Sequence, residues 1–499
     1  MNVNDPESGD RLRSVWRCEL REEALARGIA AGLALGWAAA LAGCGGESAP
    51  ERGEPFAQHG EALSVARGPS GERSFAEPFP NTNGRSCATC HVLDDDTTLK
   101  PAHVEALRAH RPSDPLFNPI DADDPEAAEP TYEHLAKGLV RVILPLADNV
   151  DVIDAAGNVI TSPERTISVW RGVPTVDNTA ITAPYQYDGR APTLQEQAQG
   201  AITAHSQGGP VSARALDRIA EFEEREFSSW RARYVFERLE DGDSLSSIPI
   251  PEAWMQLSRR ERRGRDLYDA ACAPCHGGAT TRQIVNDEVH ALGFFELTPE
   301  GFLVFEAPGG GGPPAPVLAP HANDGFLAGY GILSYLGQVG AFPAFNASVS
   351  LPRLRLRFYT DATRSEAVTE LPAVFLTQSG DPADPNPATD ERGAPLVGPS
   401  FVPQAFTTDP GRAAITGDPL DFEAFDMPQL RGIAGTAPYF HDNAAETLLD
   451  VVDIYSRFVL PLLPPLGLPR SQPPEAPGLP PESLSPGEKQ DLLAFLRRL

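Results

Sequence analysis

At 499 residues and a formal net charge of −28 at pH 7, the chain is long enough for two or three domains and too acidic to hold a nucleic-acid phosphate backbone. A basic protein is the better-matched partner for such a surface. Fifty prolines and 44 glycines predict short helices joined by long ordered loops.

The chain begins with Arg11, Arg13, Arg17, Arg21 and Arg27 ahead of an apolar run, Gly28 to Cys44, that is short for a membrane span and flanked as an export signal is. Its end, Leu41-Ala42-Gly43-Cys44, resembles the bacterial lipobox, in which the cysteine is lipidated and becomes the first mature residue. Residues 1–43 are thus expected to be a lipoprotein signal peptide that carries Cys18 away. Residues 44–74, rich in Gly, Glu, Ser and Arg, read as a flexible tether, and the first folded unit is expected from Phe75.

Cys87-Ala88-Thr89-Cys90-His91 follows, a C-x-x-C-H pattern for attaching a c-type haem through two thiols, with the next histidine aimed at the iron. Pro101 to His110 reads as a helix opened by proline, Arg111 to Pro130 as an acidic loop, and Tyr132 to Leu146 as mixed helix and strand. Asp148 to Ser162 reads as a hairpin turning at Ala156-Gly157-Asn158. Leu216, Ile219, Phe222, Phe227, Trp230, Val235, Phe236 and Leu239 set one or two amphipathic helices over 213–240. A helix over 251–271 leads into a second motif, Cys272-Ala273-Pro274-Cys275-His276. No further cysteine pair completes an all-thiolate zinc site, so both motifs read as haem sites and no disulfide is expected. Gly309 to Pro316 and Asp381 to Gly398 are loops by composition, Pro461 to Pro481 is a proline-rich wrap, and a last helix opens at Ser485-Pro486-Gly487. Covalent haem attachment takes place outside the bacterial cytoplasm, in agreement with the export signal.

An internal repeat organises the remainder. Val173-Pro174-Thr175-Val176 and Met427-Pro428-Gln429-Leu430 lie 254 positions apart, and so do Thr182-Ala183-Pro184-Tyr185 and Thr436-Ala437-Pro438-Tyr439, Asp188 and Asp442, and Thr193-Leu194 and Thr447-Leu448. The chain reads as two copies of one haem domain, residues 75–250 and 251–499.

Ser86 to His91, Tyr187 to Arg190 with Leu194 to Gln197, Cys272 to His276, and Leu430 to Asp442 together resemble the bacterial di-haem cytochrome c peroxidase and MauG family. The resemblance implies an all-α fold of two cytochrome c-like domains, each with one covalently bound haem c, and long loops. It implies that hydrogen peroxide reacts at the N-terminal haem while the C-terminal haem relays electrons from a small cytochrome c or cupredoxin. The expected location is the periplasm, by a lipid on Cys44, on the outer rather than the inner membrane. The alternatives are MauG-like oxidation of a protein or organic substrate, and a non-enzymatic di-haem electron carrier.

The family register assigns iron ligands His91 and His276, and puts Tyr455 on the far side of the second haem where peroxidases usually carry methionine. A phenolate is a hard, anionic donor that favours oxidised iron. The repeat maps Tyr455 onto Ala201, which cannot bind iron, so the first haem is expected to be open unless a loop histidine, His103, His110 or His134, closes it. After the start residue only Met255 and Met427 remain, and Met427 reads as packing beside the repeat's proline rather than as a ligand. The family's peroxide-cleaving acid falls on Gln207, with His205 two residues before it as the alternative proton carrier and Gln197 beside them. Tyr187 stands where a tryptophan usually lies between the haems, and His441 falls near the second haem. The family's calcium site keeps Thr436 and Pro438, but Gly172 replaces its asparagine.

Overall fold

The computed structural model describes residues 69–154, 156–282, 296–297, 303–304, 326–328, 354–371, 407–422, 424–456, 460 and 482–499. The export signal with Cys44, the loops 309–316 and 381–398, and the wrap 461–481 lie outside the described residues. All described residues belong to one unit spanning His59–Leu499.

Helix α1, Pro69–Ala76, overlaps the end of the expected tether. Phe75 is fully buried with its ring centroid 4.7 Å from that of Phe222, and a Cβ on Gly71 would come within 2.8 Å of the Arg218 carbonyl. Residues 69–74 of the expected tether are therefore folded, because this turn packs flush against the helix that carries Phe222. Helix α2 is Pro101–His110, and α3 is Leu194–Ala204, capped by Thr193. The amphipathic segment forms two helices, α4 (Ala213–Glu223) and α5 (Trp230–Glu240), the second started by Ser229. The helix expected over 251–271 is divided: Pro251–Trp254 is a single 3-10 turn, and α6 (Arg259–Ala271) begins at the capping box of Ser258 and Glu261. Helices α7 (Leu448–Ile454) and α8 (Pro486–Leu496) complete the second half, again with capping boxes, at Thr447 and Ser485. Gly264 lets α8 lie directly on α6, since a Cβ there would sit 2.0 Å from the Asp491 carbonyl.

The fold is not all-α. Strand β1 (Leu139–Pro145) pairs antiparallel with β3 (Thr166–Gly172), register Leu139 to Gly172 through Pro145 to Thr166. Val140, Val142 and Leu144 are buried while Ile143 is half exposed, a period of two in β-branched residues that favours a strand. The expected hairpin is present as the Ile153–Val159 bridge, with Gly157 at φ +80°. Its strand β2 (Val150–Val152) finds a ladder partner in β4 (Leu356–Tyr359), which in turn pairs with β5 (Ala367–Leu371). Two smaller antiparallel pairs join Glu296–Leu297 to Leu303–Val304 and Phe326–Ala328 to β6 (Ala424–Asp426). The β2–β4 pair crosses the expected boundary at residue 250, and the fully buried Arg171 crosses it again, bonding Asp409 through Nε (2.6 Å) and Nη2 (2.9 Å) and Asp188 through Nη1 (2.6 Å).

The two segments related by 254 positions share their local geometry. Ala183–Pro184 and Ala437–Pro438 are cis, and Tyr185–Ala191 and Tyr439–Ala445 form matching bridges. Gln186 (φ +73°) and Phe440 (φ +70°) both take the left-handed region. Tyr185 and Tyr439 donate their hydroxyls to the carbonyls of Thr179 (3.1 Å) and Ile433 (2.9 Å).

Candidate functional site

Each C-x-x-C-H segment is a tight turn in which the histidine N–H returns to the first cysteine carbonyl, 2.9 Å for His91 to Cys87 and 2.7 Å for His276 to Cys272. His91 donates Nδ1–H to the Thr97 carbonyl (3.1 Å), with the Pro174 carbonyl also facing it. His276 donates the same proton to the carbonyl of Pro428, the repeat partner of Pro174, at 3.2 Å. Holding Nδ1 in this way fixes the tautomer and leaves Nε2 with its lone pair free to ligate. Burial lowers both imidazoles to about 4, so each is the neutral form that a metal takes. The thiols are pushed the other way by burial, Cys90 and Cys275 to about 11 and Cys272 to about 12, which keeps them protonated at neutral pH. The anchoring loops match as well. Thr97 Oγ1 accepts from Val176 N–H (2.9 Å), and Thr281 Oγ1 accepts from Leu430 N–H (3.0 Å).

Above His91 opens a cavity of ≈ 250 Å³ lined by Cys87, Cys90, Tyr185, Tyr187, Gln197, Ala201 and His205, with Asp426 and Pro428 contributed from the second half. Helix α3 supplies Gln197 and Ala201, and His205 is its C-cap. Burial holds His205 below its ordinary value, so it stands neutral and able to accept a proton. Gln207 does not join them. It takes φ +53°, is exposed, and accepts from Asn83 Nδ2 at 3.2 Å outside the cavity. The turn after His205 reverses the chain and swings this side chain outward, which removes Gln207 from the site.

The three loop histidines are likewise committed elsewhere. His134 Nδ1 lies 2.5 Å from Asp123, and its ring stacks on Trp170 at 4.1 Å and 6°. His103 pairs with Asp95 at 3.2 Å, and His110 is exposed at the end of α2. None of the three lines the cavity.

In the second half Tyr455 caps the C-terminus of α7 and packs against the same apolar cluster as Cys272, Ala273 and Phe440. Burial, with the two thiols nearby, pushes its phenol well above the ordinary tyrosine range. Met255 and Met427 are buried at 8% and 3% exposure, Met255 inside the second-half core cluster.

Between the halves the repeat partners Tyr187 and His441 meet edge to face, centroids 6.4 Å apart and planes at 70°. His441 also stacks on Phe425 at 3.9 Å, and both its ring nitrogens are buried with no partner among the described residues. The backbone beneath them exchanges two bonds: Gly172 N–H to the His441 carbonyl (2.7 Å) and Asp426 N–H to the Tyr187 carbonyl (2.7 Å).

Three features were missed by sequence reasoning: the ion cluster of Arg171, Asp188 and Asp409, the Arg282–Asp426 pair, and Glu223 in the cavity wall. The last had a signal. Glu223 follows Ile219 by four and Leu216 by seven, which puts it on the apolar face of α4.

The donor set suits haem: in each half a neutral histidine with its Nδ1 tied down stands beside two protonated thiols. The residues near Gly172 do not suit calcium, which takes six to eight oxygens. The Asn443 carboxamide fills the space a side chain at Gly172 would need, 2.3 Å from an ideal Cβ. The Thr436 hydroxyl is engaged with the Ile433 carbonyl, and no group of three His, Cys, Asp or Glu is poised to hold a metal among the described residues.

Paired histidine–dithiol turns of this kind suit haem attachment, and their motifs resemble those of the di-haem cytochrome c peroxidase and MauG family. Over 92 residues it is 39% identical to cytochrome-c peroxidase IdrP2 of Denitromonas iodatirespirans, covering 18% of this chain and 21% of that protein. The chain thus matches about a fifth of the length of that relative. No family model matches. Among solved structures, a MauG-like protein associated with microbial copper homeostasis aligns over 70% of this chain and 76% of its own (19% identity, TM-score 0.29). The diheme peroxidase BthA of Burkholderia thailandensis aligns over 86% and 84% (18% identity, TM-score 0.31). Structural overlaps this shallow support no conclusion by themselves.

Gly172→Asn, which restores the family's asparagine, is expected to displace Asn443 from its bond to the Lys137 carbonyl and to destabilise the protein by about 1–3 kcal/mol. Chemical denaturation with and without added calcium checks this, and calcium is expected not to recover the loss.

Proposed function

We propose that this chain is a lipid-anchored periplasmic di-haem c oxidoreductase that reduces hydrogen peroxide in its first half and relays electrons through its second. The observation that carries the reading is an asymmetry between equivalent positions. Ala201 on α3 lines the open space above His91, while its repeat partner Tyr455 is a buried phenol beside the thiols of Cys272 and Cys275. Haem bound through Cys87, Cys90 and His91 supplies the iron at which the peroxide O–O bond is reduced.

The chain's own residues do the remainder. His205 accepts the proton of the entering peroxide and returns it to the leaving oxygen, and Gln197 orients the substrate by hydrogen bonding. Val140, Val142, Ala198 and Ile202 make that wall apolar and exclude bulk water. Tyr187 stands at the contact between halves as the station for electrons arriving from the second pocket. Two electrons from a small cytochrome c or cupredoxin and two protons from solvent complete the conversion of one peroxide to two waters. The acidic surface suits a basic donor of that type.

A second reading, oxidation of a protein or organic substrate as in MauG, is favoured by Tyr455 alone, because an anionic oxygen donor stabilises oxidised iron.

In the resting ferric protein one haem is expected to be high-spin and five-coordinate and to respond to peroxide; two six-coordinate spectra indifferent to peroxide would leave only an electron carrier. Tyr455→Met is expected to raise the potential of the second haem, read by spectroelectrochemistry, and an unchanged potential would remove Tyr455 from the iron. His205→Ala is expected to slow the peroxide reaction about a hundredfold or more while both haems stay attached, as stopped-flow mixing and intact mass would record.

A further inference from the structure

Glu223 ends α4 at 3% exposure, and its side chain opens onto the cavity shared by Cys87, Tyr185 and His205. Its main-chain carbonyl accepts from Thr179 Oγ1 (3.0 Å) and from Glu226 N–H (3.1 Å). Among the described residues its carboxyl has neither a hydrogen bond nor a cation. Three other charges in this wall have counter-charges: Arg85 is matched by Asp121 at 2.5 Å, Arg171 by Asp409 and Asp188, and Asp426 by Arg282.

The groups facing Glu223 bring no positive charge. On its own helix end stands Glu224, with Arg225 beyond it. The Cys87–His91 turn presents Cys87, uncharged as thiol or thioether, and the segment ahead of α3 presents Tyr185, a phenol that burial raises to about 12. Helices α1 and α3 pack on α4 but turn their charges outward: Arg73 is 72% exposed in its pair with Glu77, and Glu196 is exposed. Burial first, and then repulsion from Glu224, lifts Glu223 to about 8. An acid this isolated answers to whatever charge enters the cavity, because little solvent or counter-charge screens it.

Resting on the reading that haem is held at Cys87, Cys90 and His91, we infer that Glu223 is the proton site coupled to electron entry in the first pocket. When a one-electron reductant converts ferric to ferrous iron there, the Glu223 carboxylate takes one proton from solvent; on oxidation it gives the proton back. The balance is electroneutral. The iron–porphyrin core would carry one positive charge when ferric and face a carboxylate, and none when ferrous and face a carboxylic acid, so the core and Glu223 together would keep their summed charge at zero in both states. Since the ferric state lowers the affinity of Glu223 for its proton, the potential falls as pH rises between the carboxyl's ferric and ferrous values.

Spectroelectrochemical titration of the intact di-haem protein at a series of pH values, following the high-spin band of the first haem, tests this. The expected fall is about 59 mV per pH unit, a tenfold change in equilibrium per proton for one electron. It is expected in the wild type and in Glu223→Asp, and to vanish in Glu223→Gln, with the second haem unaffected. An equal slope in Glu223→Gln, or a flat wild-type potential with both haems attached by intact mass, overturns the inference and leaves the haem reading standing. Absence of haem mass on Cys87 and Cys90 in the wild type overturns both. Should Glu223→Gln fail to accumulate, the reduced-minus-oxidised infrared spectrum of the wild type decides. A protonated-carboxyl band gained on reduction supports the assignment, and its absence overturns it.

Discussion

Two backbone hydrogen bonds hold the halves in register: Gly172 N–H to the His441 carbonyl and Asp426 N–H to the Tyr187 carbonyl. Each donor lies just before its repeat's proline block and each acceptor just after its Pro-Tyr turn, so the pair behaves like the contact across a two-fold axis. This exchange brings the rings of Tyr187 and His441 together, and it places Asp426 and Pro428 in the wall of a cavity whose other side begins at Cys87. Gly172 is required by the closeness of the approach, because the Asn443 side chain already fills the volume a Cβ would enter.

A duplicated scaffold supported this way permits one-sided change. The elements that anchor the histidines have been kept twice, down to the threonine hydroxyls of Thr97 and Thr281 and the carbonyls of Pro174 and Pro428. The helices at equivalent positions diverge, with Gln197 and Ala201 in the first half standing against Val451 and Tyr455 in the second.

Local features were legible in the sequence because local physics sets them. Pro101 opened a helix that runs to His110 as the proline and the apolar spacing require, and Ser485-Pro486-Gly487 began another. The repeat marked equivalent turns even though neither cis peptide bond can be read from composition. What stayed hidden was non-local. The partner of Val150–Val152 lies about two hundred residues away, and the matching of Arg171 with Asp409 depends on the same return of the chain. Gln207 was misplaced because counting along a family register cannot foresee a left-handed turn immediately after a helix C-cap. His134 drew attention as an imidazole near a haem motif, but a carboxylate and an indole had already claimed it.

The β2–β4 ladder also has a bearing on how the chain matures. Pairing Val150–Val152 with Leu356–Phe358 closes a very long loop, and such contacts form late, after local helices and turns. The turn at Cys87–Thr89 closes through bonds among its own residues and needs no such closure. The thiols of the first motif are therefore in position while the surrounding sheet is still open. On the proposed reading, that order of assembly leaves both thiols accessible for haem attachment before the second half closes over them.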